Sequence, residues 1–211
     1  MEECTKISPA TIKRLPIYLR ILKERINEEY VSSTLIAERL GISSIQVRKD
    51  LSAISSVSGT SNKGFKIADL IESIEEFMGV KKIHTVVVVG AGHLGQALMH
   101  HSRFDSEIKI VFSFDNDESK CDNDKIFHIS KMKEMISQEN VDIGVITTPR
   151  EHAQEACDNL VRCGIKAIWN FAPKILKVPE NIVVKNEDLG ASLLILARQL
   201  ESEEDKKWKK I

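Results

Sequence analysis

The 211-residue chain reads as an α/β protein: an N-terminal winged helix-turn-helix domain, a Rossmann-like parallel-sheet domain and a C-terminal dimerisation helix. Three observations predict this. Apolar residues recur at helical steps through the first eighty positions. From residue 84 onward, β-branched runs alternate with helical segments, the pattern of a parallel, doubly wound sheet. From Asp188 the chain follows one long helical pattern. The expected divisions are 1–80, 81–187 and 188–211.

Residues 11–30 form the first predicted helix, with Leu15, Leu19, Leu22 and Ile26 at three- and four-residue steps. Pro16 belongs to a first turn or to a break in that helix. A second helix starts at Ser32 or Ser33 and ends at Gly41, which takes the left-handed position beyond a helix C-terminus without penalty. A serine of the pair Ser43-Ser44 then caps a third helix over residues 45–51. Two short helices joined by a glycine-containing turn make a helix-turn-helix. On the second of them Ile45, Val47 and Leu51 are expected to face partly inward, leaving Ser44, Gln46, Arg48 and Lys49 exposed. Such a set suits DNA: Gln pairs with adenine, Arg or Lys with guanine, and Ser with phosphate. Residues 1–66 hold 11 Lys and Arg against 7 Asp and Glu, so this lobe is basic while the whole chain carries a net charge of −1.

The polar stretch 52–62 and the segment Lys63-Gly64-Phe65-Lys66-Ile67 allow two readings. One is a wing hairpin with Gly59 in its turn and Lys63 and Lys66 near phosphates. The other is an ordinary interdomain loop. Residues 68–78 form a helix closed by Gly79, and the domain boundary is placed at residues 79–82.

The second domain opens on His84-Thr85-Val86-Val87-Val88-Val89, a strand buried on both faces, running into Gly90-Ala91-Gly92-His93-Leu94-Gly95. In a turn of this kind Gly90 permits the tight bend, Gly92 lets the backbone approach a pyrophosphate and Gly95 lets the following helix pack on the strand. A second strand, 108–115, ends in Asp115, 20 residues past Gly95, where a carboxylate accepts hydrogen bonds from adenosine ribose hydroxyls. A helix over 130–139, a third strand ending at Thr147, a helix over 150–162 and a fourth strand over 166–170 follow. Ligands of such sheets bind at the carboxyl ends of the strands, where Thr147, Thr148, Pro149, Asn170, Phe171, Ala172 and Pro173 fall. The helix from Asp188 carries Leu189, Leu193, Leu194, Leu196, Ala197 and Leu200. It needs cover from its own subunit or from a partner, since a helix-turn-helix reads palindromic sites as a dimer.

Composition narrows the classes. No stretch approaches the roughly 18 apolar residues of a membrane span, and the acidic N-terminus lacks signal-peptide regions, so the expected location is cytoplasmic. Cys4, Cys121, Cys157 and Cys163 are scattered and read as reduced thiols. The six histidines have no metal-ligand spacing, so neither a metal nor a membrane partner is expected.

Residues 46–52, 90–98, Phe114-Asp115, Thr148-Pro149, Ala153-Gln154, 163–168 and Asn170-Phe171-Ala172-Pro173 together resemble the Rex family of NAD(H)-sensing transcriptional repressors, over about Lys6 to Leu200. The resemblance implies a non-enzymatic repressor of double-stranded operator DNA with a C-terminal helix swapped across a homodimer. It implies that NAD+ permits DNA binding, that NADH releases DNA and that the cofactor is a signal. Ser43, Ser44, Gln46, Arg48, Lys49 and Lys63 would then meet the operator. Gly90, Ala91, Gly92, His93, Leu94, Gly95, Asp115, Thr147, Thr148, Pro149, Asn170, Phe171, Ala172, Pro173 and Asp188 would line NAD(H). The switch of the family would couple Arg20 and Asp188, with His101 standing where the family has tyrosine. Asp188 has a plainer reading as a helix cap. The wing also departs from the family, with Ser61-Asn62-Lys63-Gly64-Phe65 in place of Arg-Gly-x-Gly-Tyr, and Ala53, Ile54 and Val57 replace aromatic residues. Two other classes stay open: a divergent paralogue that binds nucleotide with altered DNA or redox response, and a small NAD-dependent oxidoreductase using His93, His101 or His152 as base.

Overall fold

The computed structural model describes residues 7–54, 60, 63–79, 82–100 and 108–208, with side chains to residue 201. Two compact units divide at Lys82 and Ile83.

In the first unit, α1 (Pro9–Lys23) begins at Ser8, whose side chain accepts from the Thr11 N–H, with Pro9 in the first turn. The helix ends seven residues earlier than the periodicity suggests, because Tyr30 and Val31 leave it for β1 (Tyr30–Val31). Pro16 lies inside α1 on an exposed face, at the side of the helix where the carbonyl it leaves without an N–H partner is open to solvent. Next comes α2 (Ser33–Leu40), capped by Ser32 and closed by Gly41 at φ +65°. After it come α3 (Ser44–Ile54), β2 (Phe65–Lys66) and α4 (Ile67–Met78), which ends at Gly79. Strands β1 and β2 pair antiparallel, and Thr60 bridges Gly64 to close a tight hairpin. The hairpin of the wing reading is thus present at Thr60 and Gly64, while Gly59 lies outside the described residues. Gly64 sits at φ +85°, and a Cβ there would meet the Val31 carbonyl. One core joins these helices through Leu15, Tyr18, Leu22, Ile36, Val47, Leu51 and Leu70.

The second unit is a six-stranded parallel sheet. Its strands are β3 (His84–Val89), β4 (Ile108–Asp115), β5 (Ile126–His128), β6 (Val141–Ile146), β7 (Ala167–Asn170) and β8 (Val183–Asn186), in the order β5-β4-β3-β6-β7-β8. This is the doubly wound arrangement, in which the order of strands reverses between β3 and β6. Two strands exceed the four that the sequence announces. Val87 and Val89 face a core closed by α6 (Met132–Gln138) and α7 (Ala153–Arg162), while Val86 and Val88 face the side of α5 (His93–Met99). The chain then enters α8 (Leu189–Trp208), whose Leu193, Leu194, Ile195, Leu196 and Leu200 are all exposed in the single chain.

Candidate functional site

The crevice of such a sheet lies where the strand order reverses, outside the carboxyl ends of β3 and β6. A cleft of about 640 Å³ opens there, lined by Gly90, Gly92, Phe114, Asp115, Thr147, Thr148 and Pro149 among others. Gly90 makes the bend at φ +106°, and a Cβ on it would press 3.0 Å from the Thr147 and Thr148 backbone. A Cβ on Gly95 would meet the Gly90 carbonyl oxygen, so α5 could not approach the strand with any larger residue. Gly92 differs: no heavy atom lies within 4 Å of its Cβ position, and the cleft opens over it. The Thr147 hydroxyl donates to the Gly90 carbonyl at 2.8 Å, tying the end of β6 to the turn.

Asp115 stands at the end of β4. Its Oδ2 accepts from the Ala91 N–H at 2.7 Å and its Oδ1 from the Asp117 N–H at 2.9 Å. Burial opposes its ionisation, but these two N–H groups and the Lys120 ammonium at 3.3 Å outweigh that and hold it below the usual carboxylate range. The carboxylate therefore does two things: it fixes the glycine turn and it faces the cleft as an anion. Lys120, which also lines the cleft, has no counterpart among the residues singled out from sequence. Glu155 of the same wall was likewise not singled out, and His152, named only as a candidate base of the oxidoreductase reading, lines it too.

A second cleft of about 510 Å³ lies at the ends of β7 and β8, lined by Arg150, Ala172, Pro173, Lys174 and Asp188 among others. Nine of the fifteen predicted cofactor residues are thus divided between two clefts. Asn170 belongs to neither lining. It is fully buried, donates to the Lys174 carbonyl at 2.8 Å and Asn186 Oδ1 at 2.9 Å, and accepts from the Ala172 N–H at 3.0 Å. Its part is to shape the loop that carries Ala172 and Pro173. Ala91 is buried in the turn, Phe171 packs on Trp169 with ring centres 4.5 Å apart and planes tilted by 55°, and His93 and Leu94 are exposed at the start of α5. The Asp188 carboxylate caps α8 by accepting from the Ala191 N–H at 2.8 Å. Arg20 is exposed on α1, and His101 lies outside the described residues.

On α3 the inward set needs correction. Val47 and Leu51 are buried, but Ile45 is 59% exposed, and Ser44 and Gln46 are half-buried while Arg48 and Lys49 are exposed. The reason is helical spacing: Val47, Asp50, Leu51 and Ile54 stand at i, i+3, i+4 and i+7 and share the inward face, whereas Ile45, two residues before Val47, falls on the opposite side. The Asp50 carboxylate is therefore buried, and its oxygens accept from Arg14 Nε at 2.6 Å, Arg14 Nη2 at 2.8 Å, Tyr18 OH at 2.6 Å, Thr11 Oγ1 at 3.0 Å and Gln46 Nε2 at 2.9 Å. Burial raises its pKa, and the Arg14, Tyr18, Gln46 and Thr11 donors overcome that to bring it down to about 2. The same burial holds the Tyr18 phenol protonated well above its ordinary range. Ser43 spends its oxygen as the α3 cap, accepting from the Gln46 N–H at 3.2 Å. Lys63, beside the wing, places its ammonium 5.4 Å from the centre of the Tyr30 ring.

Burial pushes the Cys157 thiol up to about 11, and Cys121 and Cys163 also rise, so these sulfurs stay protonated at neutral pH and are poor redox centres. Among the described residues no three His, Cys, Asp or Glu side chains converge as metal ligands, and no helix is long and apolar enough to cross a membrane.

Comparison with known proteins adds the following. Residues 6–52 match the family described as "Putative DNA-binding protein N-terminus", and residues 81–174 match "CoA binding domain". The redox-sensing transcriptional repressor Rex of Bacteroides thetaiotaomicron is 38% identical over 212 residues, with 97% of this chain and 96% of the relative covered. The Rex of Caldanaerobacter subterraneus subsp. tengcongensis is 33% identical, with 97% and 94% covered. Among solved structures, that of RSP in complex with β-NAD+ and operator DNA superposes with a TM-score of 0.85 at 32% identity, covering 98% of each chain. RSP in complex with β-NADH gives 0.81 at the same identity, covering 96% of this chain and 98% of that one.

Proposed function

The chain belongs to the Rex family of redox-sensing transcriptional repressors, and from that premise we propose how its own residues divide the work. It is a DNA-binding repressor, not an enzyme, and its operator affinity is set by NAD(H). The observation that carries the reading is the cleft at the reversal of the sheet, where Gly92 leaves open the space a pyrophosphate needs and the Asp115 carboxylate waits beside it. NAD(H) when bound supplies a nicotinamide whose charge differs between its two redox states. The protein holds the ligand and excludes water from it, and no side chain needs to move a proton.

The residues fit such a group. The turn around Gly90, Gly92 and Gly95 takes the pyrophosphate, and Asp115 takes the ribose hydroxyls. Thr147, Thr148 and Pro149 form the opposite wall. Ala172, Pro173 and Asp188 continue the site into the second cleft, toward the root of α8. The match to a CoA-binding family is compatible with the shared adenosine diphosphate moiety, while the Asp115 anion disfavours a phosphorylated ribose. We place Arg48 and Lys49 of α3 on the operator, with Ser43, Ser44, Gln46 and the wing residue Lys63 beside them. We assign the apolar face of α8 to a homodimer, because six exposed leucine and isoleucine side chains among the described residues of one helix need cover. Arg20, Asp188 and His101 are the proposed coupling between cofactor and DNA. In this reading the protein works in the cytoplasm.

The test is a titration of the purified protein with NAD+, NADH, NADPH and CoA, alongside selection of bound fragments from a random DNA pool with each nicotinamide form. Binding of NAD(H) together with enrichment of a palindromic sequence supports the reading. Steady NADH turnover on hydroxy acids or aldehydes would return the chain to the oxidoreductases.

A further inference from the structure

Gln46 is the third residue of α3, and the N-terminal residues of a recognition helix are those that contact base edges. Its side chain is not free to choose an orientation. The group facing Asp50 Oδ1 at 2.9 Å is assigned as the Gln46 amide nitrogen, and chemistry requires it. An ionised carboxylate only accepts hydrogen bonds, so the carbonyl oxygen cannot sit there. Asp50 in turn cannot swing away, because Arg14, Tyr18 and Thr11 hold both of its oxygens. Gln46 is therefore anchored through one N–H, with its Oε1 and its second N–H directed away from Asp50. That remaining edge offers one acceptor and one donor.

We propose that Gln46 is a specificity-determining residue that reads an adenine in the major groove, and that Asp50 is the positioning residue that fixes its amide. The outward acceptor matches the adenine N6 amino group and the remaining donor matches N7. Guanine offers acceptors at both positions, so the anchored amide would face its O6 with Oε1. An unanchored glutamine could turn its NH2 group toward guanine and offer both of its N–H donors to O6 and N7, whereas this one has one N–H committed to the Asp50 carboxylate. The anchor thus converts an adaptable side chain into a selective one. The proposal rests on α3 entering the groove, as assigned above.

The experiment is selection of bound DNA by the full-length protein with NAD+, followed by affinity measurements for wild type, Gln46→Ala, Asp50→Asn, Arg48→Ala and Lys49→Ala. The expected result is one adenine position per half-site at which Gln46→Ala loses discrimination by roughly 5- to 150-fold, the range for one bidentate base contact, with preferences elsewhere retained. Replacing that adenine by unsubstituted purine, which lacks the N6 amine, should cost wild type about as much and cost Gln46→Ala little. Asp50→Asn should relax the same position, a change that a purely structural role would spread evenly over all sequences. An unchanged preference profile in Gln46→Ala, with Arg48→Ala and Lys49→Ala weakened, overturns this proposal alone. Wild-type affinity in all of these α3 variants overturns the placement of α3 as well.

Discussion

Replacing Asp50 by alanine should destabilise the first unit by about 3 kcal/mol. The carboxylate is 2% exposed and Arg14 is 21% exposed, so removal leaves a guanidinium that only partly regains water and a phenol that regains none. Breaking a buried charge pair costs roughly 3–5 kcal/mol, and the partial exposure of Arg14 puts this case at the lower end. An independent route agrees. A carboxylate brought from its usual value near 4 to about 2 contributes on the order of 2 kcal/mol, and the small cavity adds roughly 1 more. Because the folded pKa is depressed, this contribution is fully present above about pH 4 and is lost as the pH falls toward 2. Urea unfolding followed by far-UV circular dichroism at pH 7 and pH 3 reads both effects. Both tryptophans, Trp169 and Trp208, lie in the second unit, so their fluorescence reports separately on the sheet domain. The gap between wild type and Asp50→Ala should be about 3 kcal/mol at pH 7, or roughly 12–24 °C in melting temperature for a domain of this size, and should narrow at pH 3. A gap below about 1 kcal/mol at pH 7 would refute the assignment of Asp50 as the anchor of α3.

Three further outcomes follow from the cleft and the helix root. Gly92→Ala should fold as wild type, since its Cβ meets nothing, yet weaken NADH binding at least tenfold by isothermal titration; Gly95→Ala should lose both, because its Cβ meets the Gly90 carbonyl. Asp115 should make NADH bind more tightly than NADPH, with Lys120→Ala widening the preference by removing the only nearby cation that the described cleft wall offers to a ribose phosphate; equal affinities would contradict this. Asp188→Asn should keep the α8 cap and the melting temperature, yet lower the ratio of operator affinities with NAD+ and NADH, whereas an unchanged ratio would leave Asp188 as a cap alone.

Much of this fold is written in local pattern. The valine run of β3 is apolar on both faces because both faces are covered, and the glycines at 41 and 79 end helices through the positive φ that they alone take cheaply. What escaped the sequence had a short local signature or none. Strands β5 and β8 are three and four residues long, and the runs Ile126-Phe127 and Ile182-Val183-Val184 that mark them are shorter than the roughly four to eight residues by which a strand is recognised. Asp50 shares the helical face of Val47, Leu51 and Ile54, so its inward place follows from spacing, as does the outward place of Ile45. That a carboxylate is tolerated there depends on the tertiary meeting of α3 with Arg14 and Tyr18 of α1, which local pattern does not announce. Asn170 was legible as a strand-end residue but not as a buried bracket for its own loop, because its partners come from Ala172, Lys174 and Asn186. Lys120 reaches Asp115 through a one-turn 3₁₀ helix that begins only after Asp117 caps it. The family resemblance brought together the DNA and nucleotide segments, which physical pattern alone describes separately.

The most direct measurement is the affinity of the full-length protein for its selected operator, by fluorescence anisotropy, at saturating NAD+ and at saturating NADH under one salt concentration. Binding at least tenfold tighter with NAD+, a coupling of about 1.4 kcal/mol, is the predicted result. Equal affinity in the two cofactor states, with both cofactors shown to be bound, would contradict the assignment of this chain as a redox-responsive repressor.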